Sequence, residues 1–113
     1  MAKAAAKAVR GSSTGRPVMV LLDLLGRRWT LRILWELRHG PLTSRALREA
    51  CDDASPTVLQ ARLSELRDAD LVRHEKASGY AVTALGREFL MSFMPLYSFA
   101  ERWAARQPKE PTP

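Results

Sequence analysis

Residues 55–71 carry small neutral polar side chains at the spacing of a helix face. Ser55 is a favourable N-cap, and Pro56 suits the first helical position, where no backbone N–H donor is needed. The outer face of this helix would present side chains that are short or neutral: Thr57, Gln60, Ala61 and Ser64. Such groups approach base edges closely, hydrogen-bond to donors and acceptors, and contact thymine methyls, which is the chemistry of major-groove reading. An ordinary amphipathic helix is the competing interpretation.

The inner face of the same helix is apolar. Leu59, Leu63 and Leu66 recur at i, i+4 and i+7, which predicts one buried stripe. Arg62 lies at the edge of the outer face by this period, so its guanidinium contacts either a phosphate or a carboxylate of the protein. Arg67 is the charged member of the outer face.

A second short helix must position this reading face. Thr43 or Ser44 is suited to cap a helix that ends near Cys51, and residues 52–54 form a turn before Ser55. Two short helices joined by a tight turn, the second with a neutral polar face, are typical of a helix-turn-helix.

Two helices are predicted upstream, over residues 18–28 and 29–39. The first has one apolar stripe and ends at Gly26 and two arginines. The second is apolar over a wide arc, so we expect it to be the most buried helix, and Gly40-Pro41 stops it.

A β-hairpin is predicted after the reading helix. Residues 72–76 and 80–83 are short β-leaning runs around Gly79, which is free to adopt a positive φ. A hairpin in this place is a wing, and its tip would bring Lys76 and Ser78 to a phosphate or to the minor groove. Leu42 is expected to add a short strand.

The last predicted helix covers residues 84–107, with Thr83 as its cap. Residues 89–100 carry no charge, although a helix packed on a small monomer needs only one apolar face. We therefore expect a second copy of the chain to cover the other face, and Pro95 to kink or break the helix. The expected dimer contacts are Leu21, Phe93, Met94, Leu96, Tyr97, Phe99, Ala100 and Trp103.

Composition limits the remaining classes of function. The 113 residues suffice for one small domain, and the single cysteine excludes an intramolecular disulfide framework. Residues 1–17 hold four basic side chains and no acid, out of a net charge of +6, which favours a nucleic acid or another anionic partner. A solubilising tail is the alternative.

The longest charge-free apolar run is too short to span a membrane. No metal-ligand spacing, cofactor motif or catalytic set is present, so an enzyme is not expected.

Three segments together resemble the HxlR-type winged-helix regulators, of the MarR-like superfamily. L-L-G-R-R-W-T-L-R-I-L-W-E-L-R-H-G-P at residues 24–41 is similar to their segment L-I-G-G-K-W-T-L-x-I-L-x-x-L-x-x-G-P. S-P-T-V-L-Q-A-R-L-S-E-L at residues 55–66 resembles their recognition helix, and residues 71–73 and 80–86 resemble the two ends of their wing. The resemblance covers roughly residues 17–103.

The resemblance implies a bacterial transcription regulator that binds operator DNA as a homodimer through its first and last helices. The family's DNA-facing segment falls on Ser55, Thr57, Gln60, Ala61 and Arg62. Some members sense oxidants with a cysteine just before the first helix, but Arg16 stands there in this chain. The wing is also shorter than the family's and lacks its arginine.

These observations predict a mainly α (α+β) fold: a winged helix-turn-helix with a short β-hairpin wing and N- and C-terminal dimerisation helices. The expected organisation is a flexible basic tail (1–17), the DNA-binding domain (18–107) and a disordered C-terminal tail (108–113). The predicted function is a sequence-specific transcriptional regulator, as a repressor, in the cytoplasm with the nucleoid. A winged-helix protein–protein interaction module without DNA binding is the alternative. The partners are double-stranded DNA and a second copy, with no cofactor, no membrane and any small-molecule effector left open. The full DNA-binding set is Ser55, Thr57, Gln60, Ala61, Arg62, Ser64, Arg45, Arg28, Lys76 and Ser78.

Overall fold

A computed structural model describes residues 15–108, which form five helices and a two-stranded antiparallel sheet. The order along the chain is α1 (Pro17–Leu25), α2 (Thr30–Glu36), α3 (Ser44–Ala50), α4 (Pro56–Asp68), β1 (Val72–Glu75), β2 (Gly79–Val82) and α5 (Ala84–Arg106). This confirms the predicted winged helix-turn-helix. Most of the predicted basic tail and nearly all of the predicted C-terminal tail lie outside the described residues.

The core lies between α2, α4 and the hairpin. The three leucines predicted for the inner face of α4 are buried, and α2 contributes side chains with no exposed surface, as expected for the most buried helix. The largest fully buried apolar side chains are Ile33, Leu34, Leu37, Leu47, Leu59, Leu63 and Leu66.

The first two helices are shorter than predicted. Trp29 has φ of 77°, which a right-handed helix cannot contain, so α2 begins only at Thr30. α1 ends at Leu25, and α2 ends at Glu36. The apolar stripe predicted for α1 is not buried within the chain: Val18 is 58% exposed and Leu22 is 52% exposed. The spacing of the apolar residues could not predict the left-handed conformation of Trp29.

The turn of the helix-turn-helix uses two aspartates in the left-handed region. Asp52 and Asp53 have φ of 56° and 58°, a conformation that aspartate tolerates better than most residues. Of the two predicted caps of α3, Thr43 takes the position, and its hydroxyl accepts a hydrogen bond from the Ala46 amide at 3.1 Å. Ser55 takes the N-cap position of α4, but its side chain makes no capping hydrogen bond.

The wing pairs Val72 with Val82 and Glu75 with Gly79 in antiparallel register. Leu42 adds the short strand expected of it, as a single bridge to Tyr80. Gly79 has φ of 99°, and a Cβ there would collide with the Leu42 carbonyl, so a side chain would break this contact. The hairpin is thereby fastened to the segment that enters α3.

α5 is one unbroken helix that contains Pro95, so the predicted break is not present. Proline removes one backbone hydrogen bond. Phe93 and Tyr97, on either side of Pro95, both contact the Trp35 ring of α2, so this part of α5 packs against α2. Thr83 caps the helix as predicted, accepting from the Gly86 amide at 2.9 Å.

Candidate nucleic-acid interface

The predicted reading face of α4 is open to solvent. Thr57, Gln60, Ala61 and Ser64 are all exposed, while the leucines of the same helix are buried. Because Pro56 is the first residue of α4, the face occupies about the first two and a half turns of the helix. The N-terminal part of the second helix is the part that reaches base edges in a helix-turn-helix.

Gln60 is the most connected residue of this face. Its Nε2 donates a hydrogen bond to the Ser44 hydroxyl at 3.2 Å, and its Oε1 accepts one from the Tyr80 hydroxyl at 3.4 Å. The amide thus joins α3, α4 and the wing. Neither partner was predicted from the sequence, because they lie 16 and 20 positions from Gln60 and helical periodicity carries no such information.

Arg62 is turned towards a carboxylate of the protein. Its guanidinium donates to Glu65 at 2.9 Å, and the other carboxylate oxygen of Glu65 lies 2.9 Å from Arg27. The Arg62 side chain is only 22% exposed, whereas its neighbour Ala61 is an exposed residue. Of the two alternatives left by the sequence, the structure therefore has the carboxylate contact, which uses Nη1 of the guanidinium.

The wing tip presents one positive charge. Lys76 is exposed, whereas the Ser78 hydroxyl donates to Glu75 at 2.6 Å. Arg73 pairs with the same carboxylate at 2.6 Å. The hydrogen bond from Ser78, followed by the contact with Arg73, lowers the pKa of the Glu75 carboxyl. Lys76 is thus the predicted wing contact that keeps its charge unpaired, and Ser78 is committed to the wing itself.

Two further predicted cations lie at the surface. The Arg45 side chain is 90% exposed at the start of α3, with Glu49 at 3.7 Å, a distance too long for a strong pair. Arg28 lies over the ring of its neighbour Trp29. An open groove that the sequence did not predict lies between α4 and β1. It is lined by Ser64, Arg67, Asp68, Val72, Arg73 and His74.

A second surface is apolar and exposed. On α5, Leu96 is 58% exposed, Phe99 52% and Trp103 56%. Met94 and Ala100 are exposed too, and Leu21 of α1 is 36% exposed. Phe93 and Tyr97 differ from the rest of the predicted dimer set, because their rings already contact Trp35 of the same chain.

Cys51 lies in the core with no exposed surface. Burial raises the pKa of its thiol. The charge of Arg32 lowers this pKa by a smaller amount, and the charges of Glu36 and Asp52 raise it. Across residues 15–108, no three histidine, cysteine, aspartate or glutamate side chains are grouped so that they could hold a metal ion. No helix in that range combines the length and apolarity needed to cross a bilayer.

Comparison with known proteins gives one consistent result. Residues 24–108 match the family described as HxlR-like helix-turn-helix. An uncharacterized HTH-type transcriptional regulator of Methanocaldococcus jannaschii is 28% identical over 96 residues, which are 80% of this chain and 90% of that protein. Quinone-bound YodB from B. subtilis has a TM-score of 0.71 at 26% identity, covering 76% of this chain and 97% of the other. A possible HxlR family transcriptional factor from Thermoplasma volcanium has a TM-score of 0.67 at 28% identity, covering 76% and 83%.

Proposed function

The chain belongs to the HxlR-like helix-turn-helix family, a family of DNA-binding transcriptional regulators, and we propose that it binds a palindromic operator as a homodimer and represses transcription. The observation that carries this proposal is the exposed neutral face of α4. Thr57, Gln60, Ala61 and Ser64 are the proposed base-reading residues, and Ser55, Arg45, Arg28 and Lys76 the proposed backbone contacts. Arg62 and Ser78 also belong to the proposed interface, although in the free protein Arg62 is bonded to Glu65 and Ser78 to Glu75.

The homodimer is supported by the exposed apolar surface of α1 and α5. A monomer would leave Leu96, Phe99 and Trp103 in water, and contiguous apolar surface of this kind favours association. A second copy of the chain can cover this surface, because a two-fold interface uses the same patch on both chains. Two reading helices related by a two-fold axis would contact two half-sites about one helical turn apart, which is why the operator is proposed to be palindromic.

Repression is the proposed direction because it needs no contact beyond DNA. A dimer seated on two half-sites excludes another protein from the same base pairs by its volume alone. Activation would require a separate surface for the transcription machinery as well.

Selection from a random duplex pool tests the proposal. The wild-type chain should enrich a sequence with two-fold symmetry, and the matched double variant Thr57→Ala/Gln60→Ala should lose the enrichment while retaining salt-sensitive binding to random DNA. In vitro transcription from a promoter that carries the enriched site should then fall as protein is added. A pool that stays random with the wild-type chain would contradict the proposal and favour a winged-helix protein–protein interaction module. An enriched sequence without symmetry would contradict the homodimer alone.

A further inference from the structure

We propose that Ser44 and Tyr80 are positioning residues that set Gln60 to read adenine rather than guanine in the major groove. This inference rests on the proposed function and goes beyond it, because it assigns a base to one side chain and gives a role to two residues outside the reading face. It starts from the two hydrogen bonds of the Gln60 amide, to the Ser44 hydroxyl at 3.2 Å and from the Tyr80 hydroxyl at 3.4 Å.

The hydrogen-bonding capacity of the amide decides which base it can read. A glutamine amide has two N–H donors and two oxygen lone pairs. Ser44 takes one donor and Tyr80 takes one lone pair, so one donor and one acceptor remain. If the amide is turned over, each hydroxyl can exchange its donor and acceptor roles, and the remainder is the same.

The remaining donor and acceptor of Gln60 can together form two hydrogen bonds with only one base, adenine. Adenine presents the N7 acceptor and the N6 amino donor side by side, whereas guanine presents two acceptors, N7 and O6. Reading guanine with both positions would need both N–H groups of Gln60, and Ser44 already holds one of them. Cytosine and thymine each offer a single polar group on this edge, so they gain one contact at most.

The two hydroxyls differ in how firmly they are themselves held. Ser44 is the first residue of α3, directly after the Thr43 cap, and its side chain is exposed. The Tyr80 residue is only 7% exposed, and its ring packs beside His74 with centroids 4.6 Å apart. Tyr80 therefore offers a fixed hydroxyl, but its 3.4 Å contact is long for an O–H···O hydrogen bond. We expect Ser44 to contribute the larger share of the orientation.

The hydrogen bonds matter more in the complex than in the free protein. In the free chain, water competes for the exposed amide, so each bond is weak. On DNA, the groove excludes water from Gln60, and an amide already held in the reading geometry loses less rotational freedom on binding. Loss of either hydroxyl should therefore weaken discrimination at one base pair, by about three- to tenfold.

The experiment uses the full chain and the selected operator. Each adenine is replaced in turn by 7-deazaadenine, which lacks the N7 acceptor, and by the G·C pair. The base pair that Gln60 reads is identified as the one at which these replacements weaken binding of the wild-type chain but not of Gln60→Ala. We expect an A·T pair there, with a wild-type preference over G·C of about 5- to 150-fold. Ser44→Ala and Tyr80→Phe should each reduce that preference and the 7-deazaadenine penalty, while the preferences at all other positions stay as in the wild type.

Controls separate positioning from folding. Ser44→Thr keeps a hydroxyl and should retain the adenine preference, and combining Ser44→Ala with Gln60→Ala should add nothing at that position. An unchanged preference in both single variants, a G·C pair at the Gln60 position, or an equal loss at every position would overturn the inference while leaving the regulator itself intact. Failure of the proposed function is distinguishable, because the wild-type chain would then enrich no operator at all, and the inference would fall with it.

Discussion

The indole ring of Trp35 on α2 lies parallel to the phenol ring of Tyr97 on α5, with centroids 4.9 Å apart and an interplanar angle of 10°. Phe93, one turn earlier on α5, meets the same indole edge-on at 6.4 Å. The guanidinium carbon of Arg38 lies 3.9 Å from the centre of that ring. One tryptophan thus fastens the helix that carries the proposed dimer surface to the helix at the centre of the core.

The first prediction concerns this fastening. Trp35→Ala should lower the free energy of unfolding by about 2–3 kcal/mol, less than a fully buried tryptophan would, because Trp35 is only half-buried. Urea unfolding at a fixed protein concentration measures the change. Trp35→Phe keeps an aromatic ring and should lose clearly less. A change within about 0.5 kcal/mol for Trp35→Ala would mean that the stack does not hold α5 in place.

The second prediction tests Gln60 as a base reader. Gln60→Ala should weaken binding to the specific operator by about 1–3 kcal/mol and binding to random DNA far less, because only the operator offers a matched base edge. Titration of both duplexes at one salt concentration gives the two losses. Gln107→Ala removes the same side chain from the end of α5 and serves as the control, with no change expected. Equal losses on the two duplexes would remove Gln60 from the reading face.

The third prediction concerns the homodimer. Phe99 is 52% exposed in the charge-free part of α5, and Phe99→Glu would place an unpaired charge in the proposed interface. We expect the dissociation free energy to fall by several kcal/mol, on the order of that for an unpaired interfacial charge. Sedimentation should then show monomer. Arg87→Glu introduces the same residue on the same helix outside that run and should remain dimeric. A dimer that survives Phe99→Glu would place the interface on another surface.

Local patterns in the sequence were enough to predict the order of elements. The caps at Thr43 and Thr83 each depend on residues three positions apart, and successive leucines of the α4 stripe lie three or four positions apart. The left-handed Trp29 was not predicted, because a bulky aromatic residue seldom adopts a positive φ. That dihedral angle excludes Trp29 from α2, which begins at Thr30.

The candidate site divides in the same way. The exposed face of α4 follows from periodicity, and the sequence predicted its residues. The hydroxyls of Ser44 and Tyr80 that contact Gln60 could not be predicted from the sequence, and neither could the Arg27–Glu65 pair. Contacts between different elements depend on how those elements pack, and nothing in the spacing of one helix encodes that. The Arg62–Glu65 pair is local, at i and i+3, and was the one contact that spacing could have found.

The fourth prediction concerns the thiol of Cys51. Burial raises its pKa in the folded state, so little thiolate is present near neutral pH and iodoacetamide should react slowly with the native chain and quickly in urea. A folded pKa above the unfolded one means that this thiol stabilises the fold fully below about pH 8.5 and loses that contribution as the pH rises further. The free energy of unfolding should therefore fall between pH 8 and pH 10 more steeply than in Cys51→Ala. Fast alkylation of the native chain would contradict the buried position.

The last prediction concerns the basic segment that precedes α1. Residues 1–14 contain Lys3, Lys7 and Arg10 and no acid, and they lie outside the described residues. If these side chains contact DNA phosphates, each releases about 0.9 of a counterion, so deleting residues 1–14 should reduce the slope of log K against log salt by up to about 2.7. Phosphate contacts carry no sequence information, so affinities for operator and random duplex should fall together and the sequence preference should survive. The triple variant Lys3→Gln/Lys7→Gln/Arg10→Gln keeps the length and removes the charge, and it should reproduce the smaller slope. A salt titration of the three proteins on both duplexes makes the comparison. Parallel slopes for all three would leave the segment without a role in binding DNA, and a loss confined to the deletion would assign its effect to length and not to charge.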